Sequence, residues 1–126
     1  MAVFTDAEIA YLNSQMLCRL ATVGPSGQPH VVPVGYRYNP ELETIDIGGH
    51  DFAKRKKFRN VSHNRAVALV VDDIVSTNPW RVRGIEIRGE AEVLMSGGTD
   101  LGPGFDPEMF RITPRRVTAW GLEETA

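Results

Sequence analysis

The chain has 126 residues, 42% of them hydrophobic and 24% charged, with a net charge of −2. That length supports one domain with a real core, and that composition excludes a disordered or fibrous chain. No apolar run approaches the ~20 residues of a membrane-spanning helix, and the acidic start MAVFTDAEIAYL lacks the basic segment of a secretion signal. The lone Cys18 permits neither an internal disulfide framework nor a cysteine metal site. A cytoplasmic protein with one domain over residues 1–126 is expected.

In chain order, Thr5-Asp6-Ala7-Glu8 has capping-box spacing, and Ile9, Leu12 and Met16 follow at helical intervals. This predicts a short amphipathic helix over Thr5–Gln15. Leu17–Val23 reads as a strand that carries Cys18 as a buried thiol, Pro25-Ser26-Gly27 as a turn, and Pro29–Tyr38 as the returning strand of a hairpin. Pro33 cannot donate to a ladder, so it marks an edge, bend or bulge. Backbone groups beside it are open to a ligand, or the spot is a barrel corner. Asn39-Pro40-Glu41 turns the chain into a third strand, Glu43–Gly48.

The next stretch, His50–Asn64, concentrates the positive charge: five of the six residues from Lys54 to Arg59 are basic. The rest of the chain carries 9 basic against 16 acidic residues. Such a local knot of cations in an acidic protein points to an anion site. On a helix turning about 100° per residue, Phe58 and Val61 share the packing face with Lys54. Lys57 then lies at its border, while Arg55, Lys56 and Arg59 point outward. Gly48-Gly49 sit between the strand and this helix, where freed amides can bind phosphate. The alternative is a solvated basic helix whose side chains cover apolar surface.

Ala66–Val71 is a continuous apolar run, read as a central strand buried on both faces, followed by a polar loop over Asp72–Pro79. In Arg81–Leu94, Ile85, Ile87, Ala91 and Val93 alternate with charged residues, a strand with one wet face in which Gly84 and Gly89 mark bends or bulges. Met95–Pro107 is a Gly/Pro/Asp-rich loop, and a strand pattern returns over Arg116–Trp120. Six antiparallel strands and two helices at this spacing favour a small closed barrel, a mainly β fold. His30, His50 and His63 show no ligand pairing, so no metal is expected; His63-Asn64 ends the helix. No arrangement of Ser-His-Asp, Cys-His or paired carboxylates names a catalytic residue.

Four stretches together resemble a known family: LATVGPSGQPHVVPVGY, RKKFRNVSHNRAVALVVDD, RVRGIEIRGEAEVL and RITPRRVTAWGLE. They are similar to the pyridoxamine 5′-phosphate oxidase-like split-barrel flavoproteins, and more narrowly to the branch that uses the deazaflavin coenzyme F420. The ending also resembles the subgroup that includes tetracycline-pathway reductases. The resemblance implies a six-stranded antiparallel split β-barrel of the FMN-binding type, forming a homodimer with two cofactor sites at its interface. It implies that Arg55 and Lys57 hold the cofactor phosphate, and on Arg55 it disagrees with the helical phase. It places Gly49-His50 in a turn that touches phosphate, although relatives often carry Ser or Thr where this chain has His50. Pro33-Val34 matches the strand that passes the ring system, and Trp80 and Trp120 are candidates to line the site.

What the family implies is a hydride passed between the deazaflavin C5 and an activated C=C or similar acceptor of a small organic substrate. The deazaflavin tail, a phosphodiester followed by glutamates, suits five cations better than FMN does. Lys54, Lys56 and Arg59 are expected to track the glutamates, and the proton donor is left open among Tyr36, His50 and solvent. The nearest alternatives are an FMN-dependent oxidoreductase of the same fold and a non-catalytic F420- or flavin-binding protein. A nucleic-acid binder is disfavoured, because the chain is acidic overall and has no second helix for a helix-turn-helix. The substrate is not legible.

Overall fold

The computed structural model describes residues 2–122; Glu123, the last residue of the RITPRRVTAWGLE stretch, lies outside them. The elements run α1 (Asp6–Ser14), β1 (Leu17–Val23), β2 (Pro29–Gly35), β3 (Arg37–Asn39), β4 (Thr44–Ile47), α2 (Lys56–His63), β5 (Ala66–Thr77), β6 (Trp80–Leu94) and β7 (Met109–Trp120). All seven strands form one antiparallel sheet in the order β2-β1-β5-β6-β7-β4-β3. The two end strands of that order are consecutive in the chain, separated by Tyr36 alone. The sheet therefore curls until its edges meet at one residue. Among the described residues no helix is long and apolar enough to cross a membrane.

The count of seven differs from the six expected because the run Pro29–Tyr38 divides. Tyr36 leaves both ladders, and its hydroxyl donates to the Leu12 carbonyl at 2.6 Å. β2 pairs with β1 on one side of the seam, while β3 pairs with β4 on the other. Pro33 causes no register shift; it lies opposite Arg19 in an unbroken ladder, on an edge strand that has no use for its missing N–H.

Alternate residues of the central strands fill the interior. Cys18 and Leu20 of β1, Leu69 and Val71 of β5, Ile85 and Ile87 of β6, and Phe110 and Ile112 of β7 are all buried. Each large aliphatic side chain so buried contributes roughly 1.5–3 kcal/mol. Burial pushes the Cys18 thiol up to about 12, so it packs as an inert apolar group. One polar cluster is embedded among them. Asp46, 3% exposed, accepts a paired guanidinium bond from Arg111, with both contacts at 3.2 Å, and further bonds from Asn39 and Thr44.

Three local expectations are corrected. α1 has its capping box, with the Thr5 hydroxyl accepting from the Glu8 amide, but it ends at Ser14 and leaves Met16 83% exposed; Tyr11 and Leu12 are its buried residues. Asp72–Pro79 is no loop, because β5 continues to Thr77 and forms a long hairpin with β6, shifting register between Ile74 and Ser76. The β-branched Ile74, Val75 and Thr77 sustain that strand after its core contacts end. Finally, His50–Asn64 is not one helix. A 3-10 turn over Phe52–Lys54 stops at Arg55, whose extended backbone (φ −79°, ψ 151°) caps a separate α2.

The glycines of β6 serve different ends. Gly89 sits at a register shift between β6 and β7, where a Cβ would run into the Thr113 carbonyl. Gly84 lies in an unshifted ladder and makes room for the ring of Trp120.

Candidate functional site

A cleft of about 580 Å³ opens between the edge strand β2, the turn after β4 and the start of α2. Seven of the ten site residues expected from sequence line it: Pro33, Val34, Gly49, His50, Arg55, Lys56 and Lys57. The break at Arg55 explains how its cations come together. A continuous helix would turn Arg55 outward; in the extended cap its side chain lines the cleft, and its Nε donates to the His50 carbonyl at 3.4 Å. The helical phase was thus wrong for Arg55, since it was counted through a residue that is not helical. It was wrong for Lys54 too, which is exposed in the 3-10 turn and outside the cleft lining.

The electrostatics are one-sided. The lining carries three cations and two histidines, and no carboxylate. Lys57 is half-buried, with its Nζ 5.3 Å from the centroid of the Phe52 ring. Desolvation, and then the charge of Arg55, hold its ammonium below the usual lysine range. α2 begins here with no side-chain cap and no acid in its first turn. The Lys56 and Lys57 amides therefore enter the helix without intrahelical partners, at the positive end of its dipole. Between Gly49 and α2, the amides of Phe52, Lys54 and Arg55 are already bonded. This donor set fits a phosphate group of a flavin-type cofactor. A hollow of about 620 Å³ between α1 and β6 does not: Asp6 shares it with Arg81 and Arg83, and Arg83 is paired with Asp73 at 2.8 Å.

His50 has a second attachment. Its Nδ1 donates to the Gly104 carbonyl at 2.8 Å, and its ring meets Phe105 edge-on at 5.1 Å. With Asp106 N donating to the Gly49 carbonyl at 3.0 Å and Phe52 N to Asp106 Oδ2 at 3.1 Å, it docks the loop after β6 against the cleft mouth. Phe105 becomes a cleft wall and also lines a smaller cavity of about 240 Å³, bounded by Met16, Tyr36 and Leu101. The Tyr36 hydroxyl, raised above its ordinary range by burial and already bonded to Leu12, is a poor proton source as it stands.

The two tryptophans lie elsewhere. Trp80 is 66% exposed at the tip of the β5–β6 hairpin, and Trp120 covers Gly84 at the end of β7. Neither lines the cleft. They share that end of the sheet with Ile74, Val75 and Val82, which are all exposed.

Sequence reasoning missed His30, Val32, Gly35 and Phe105 in the lining, whereas Gly48 lines it beside Gly49 as the glycine pair suggested. The period-2 pattern of β2 was a usable signal for His30 and Val32, which share the half-buried face with Val34. Nothing local announces Phe105, which arrives by long-range loop docking. His30 is unusual: its Nδ1 is the one buried side-chain nitrogen or oxygen without a partner among the described residues. Such an orphan costs about 1–3 kcal/mol.

Sequence and structure comparisons agree with this fold. The pyridoxamine 5′-phosphate oxidase family model matches residues 4–121. The chain belongs to that family. A 5a,11a-dehydrotetracycline/5a,11a-dehydrooxytetracycline reductase from Streptomyces rimosus subsp. rimosus is 48% identical over 120 residues, 95% of this chain and 84% of the relative. With such a relative the chain is a reductase, and the likeness of its ending to tetracycline-pathway enzymes is a likeness of nearly all of it. An F420 reductase of known structure superposes with a TM-score of 0.64 at 26% identity, over 82% of this chain and 89% of the other. A conserved hypothetical protein from Mycobacterium tuberculosis shares the fold, with a TM-score of 0.73 at 23% identity over 99% and 92% of the two chains.

Proposed function

We propose that the chain is an F420-dependent reductase that works as a cytoplasmic homodimer of split barrels, delivering a hydride to an activated C=C or similar acceptor of a small organic substrate. The acid-free cation cleft carries this reading. An anionic tail entering it meets Arg55, Lys56 and Lys57 and the uncapped amides of α2, and charge-assisted hydrogen bonds of this kind are the strong ones. The tetracycline-pathway reductase and the F420 reductase among its relatives support the chemistry and the cofactor.

When bound, the deazaflavin supplies a hydride from its C5, and the protein supplies position and electrostatics. Arg55 and Lys57 hold the phosphate, and Lys56 extends the positive track toward the glutamates. Lys54 and Arg59 stand exposed beside it and extend the track from outside the cleft. The free edge of β2 at Pro33-Val34 presents backbone to the ring system, with no partner strand beyond β1 among the described residues. Gly49 brings the chain close, and Phe105 excludes water from one side. The exposed apolar end around Ile74, Trp80, Val82 and Trp120 suits contact with a second copy, which brings the tryptophans of one subunit toward the cleft of the other.

The test is a pair of titrations with F420 and FMN, read by tryptophan fluorescence. F420 is expected to bind at least 10-fold more tightly. Equal affinity, or preference for FMN, overturns the cofactor assignment. Tight F420 binding with no turnover of dehydrotetracyclines or simple enones would make the protein a carrier of the cofactor.

A further inference from the structure

We propose that His30 donates its Nε2–H to an anionic oxygen of the cofactor phosphate, as a fourth side chain of the cation cleft. This rests on the cofactor reading above and adds a residue that lies outside the basic stretch and was not among the expected cofactor contacts.

The placement comes first. His30 lies opposite Thr22 in the β1–β2 ladder. The buried Thr22 hydroxyl accepts from Asn60 Nδ2 of α2 at 3.0 Å. Lys56 and Lys57 stand one turn before Asn60 on that side of the helix. The cation end of α2 therefore crosses the sheet at the His30 end of β2, and all three residues line one cleft.

The state of the ring follows from its hydrogen bonds. Nδ1 is buried with neither a donor nor an acceptor against it. Of the two unbonded states, a buried N–H without an acceptor is the rarer and costlier, so the lone pair is placed on Nδ1. The neutral ring then carries its hydrogen on Nε2. Among the described residues Nε2 also has no protein partner, and it is not among the buried unsatisfied atoms, so it is open to solvent. A neutral donor is left open in a cleft whose other polar side chains are cations and a histidine already tied to Gly104. An anionic oxygen satisfies it without adding charge. Its direction also sets a distance between phosphate and strand, which favours a phosphate held at a fixed place in the ligand.

Three variants separate the roles of the two nitrogens. His30→Gln keeps a donor near the Nε2 position, His30→Asn places its amide near Nδ1, and His30→Phe keeps the ring shape with no donor. The expected result is an F420 dissociation constant within about 3-fold of wild type for Gln, and weakened about 10-fold for Asn and Phe. In the wild-type protein labelled with 15N-histidine, free His30 should show the Nε2–H tautomer, and its Nε2–H resonance should move on saturation with F420. Wild-type binding with all three variants within twofold, or an unmoved His30 resonance, overturns the proposal and leaves the cofactor reading intact. If the wild type ignores F420 and binds FMN, the same series run with FMN still judges His30 while the deazaflavin reading falls. If neither binds, both fall.

Discussion

Lys57→Met separates the cost of the cation cleft from its use. Met keeps the length and apolar cover of the lysine stem over Phe52 and removes the charge. In the free protein that charge is half-desolvated and pushed against Arg55. Removing it should stabilise the unliganded protein by about 0.5–1 kcal/mol, raising the thermal midpoint by about 2–4 °C for a domain of this size. Ligand binding should move the other way. A charged hydrogen bond to phosphate is worth roughly 1.5–3 kcal/mol, so the F420 dissociation constant should rise about 10- to 150-fold. The pH dependence has a definite sign. The folded pKa of Lys57 lies below the ordinary 10.5; an anion favours the charged form and raises it. Affinity should therefore be full at neutral pH and fall as pH rises through the lowered value toward 10.5, with proton uptake on binding in that window. Calorimetry in buffers of different ionisation enthalpy reads the uptake, and differential scanning reads the stability. A variant less stable when free, with affinity within twofold of wild type, would refute both halves and make Lys57 a packing residue.

Other outcomes follow from the same geometry. Asp46→Ala leaves Arg111 beside an emptied site and should cost about 3–5 kcal/mol by urea denaturation. Gly89→Ala forces a Cβ into the Thr113 carbonyl and should cost about 1–3 kcal/mol. Arg83 and the Tyr11 hydroxyl hold the Asp73 carboxyl below its ordinary 3.8. Its contribution is complete above that value and lost as pH falls through the lower folded one, so Asp73→Asn should flatten the acid limb of thermal stability below pH 3.8. Light scattering should return twice the 14.0 kDa of one chain, and Trp80→Lys should shift that mass toward the monomer; a monomer that binds cofactor fully would end the shared-site reading.

Several strands and core faces were legible because side-chain alternation is a local property: Leu17–Val23 falls where the pattern put it, and Ile85, Ile87 and Ala91 point inward as their spacing required. Ala66–Val71, read as buried on both faces, buries only Val67, Leu69 and Val71, and the last strand starts at Met109 instead of Arg116. The capping box of α1 and the knot of cations were equally local. Sequence alone determined that a cationic element follows the strand read over Glu43–Gly48 in a mainly β domain. It did not determine which cations meet. That was decided at Arg55, where Phe52 is drawn into the core, its amide is taken by Asp106 from a loop 54 residues away, and the chain restarts as a new helix. Helical phase assumes continuity, and one tertiary hydrogen bond with one buried ring broke it. The seam at Tyr36, the docking of Phe105 and the orphan nitrogen of His30 are of the same kind. Each depends on how segments distant in sequence pack, so only the curled sheet could decide it.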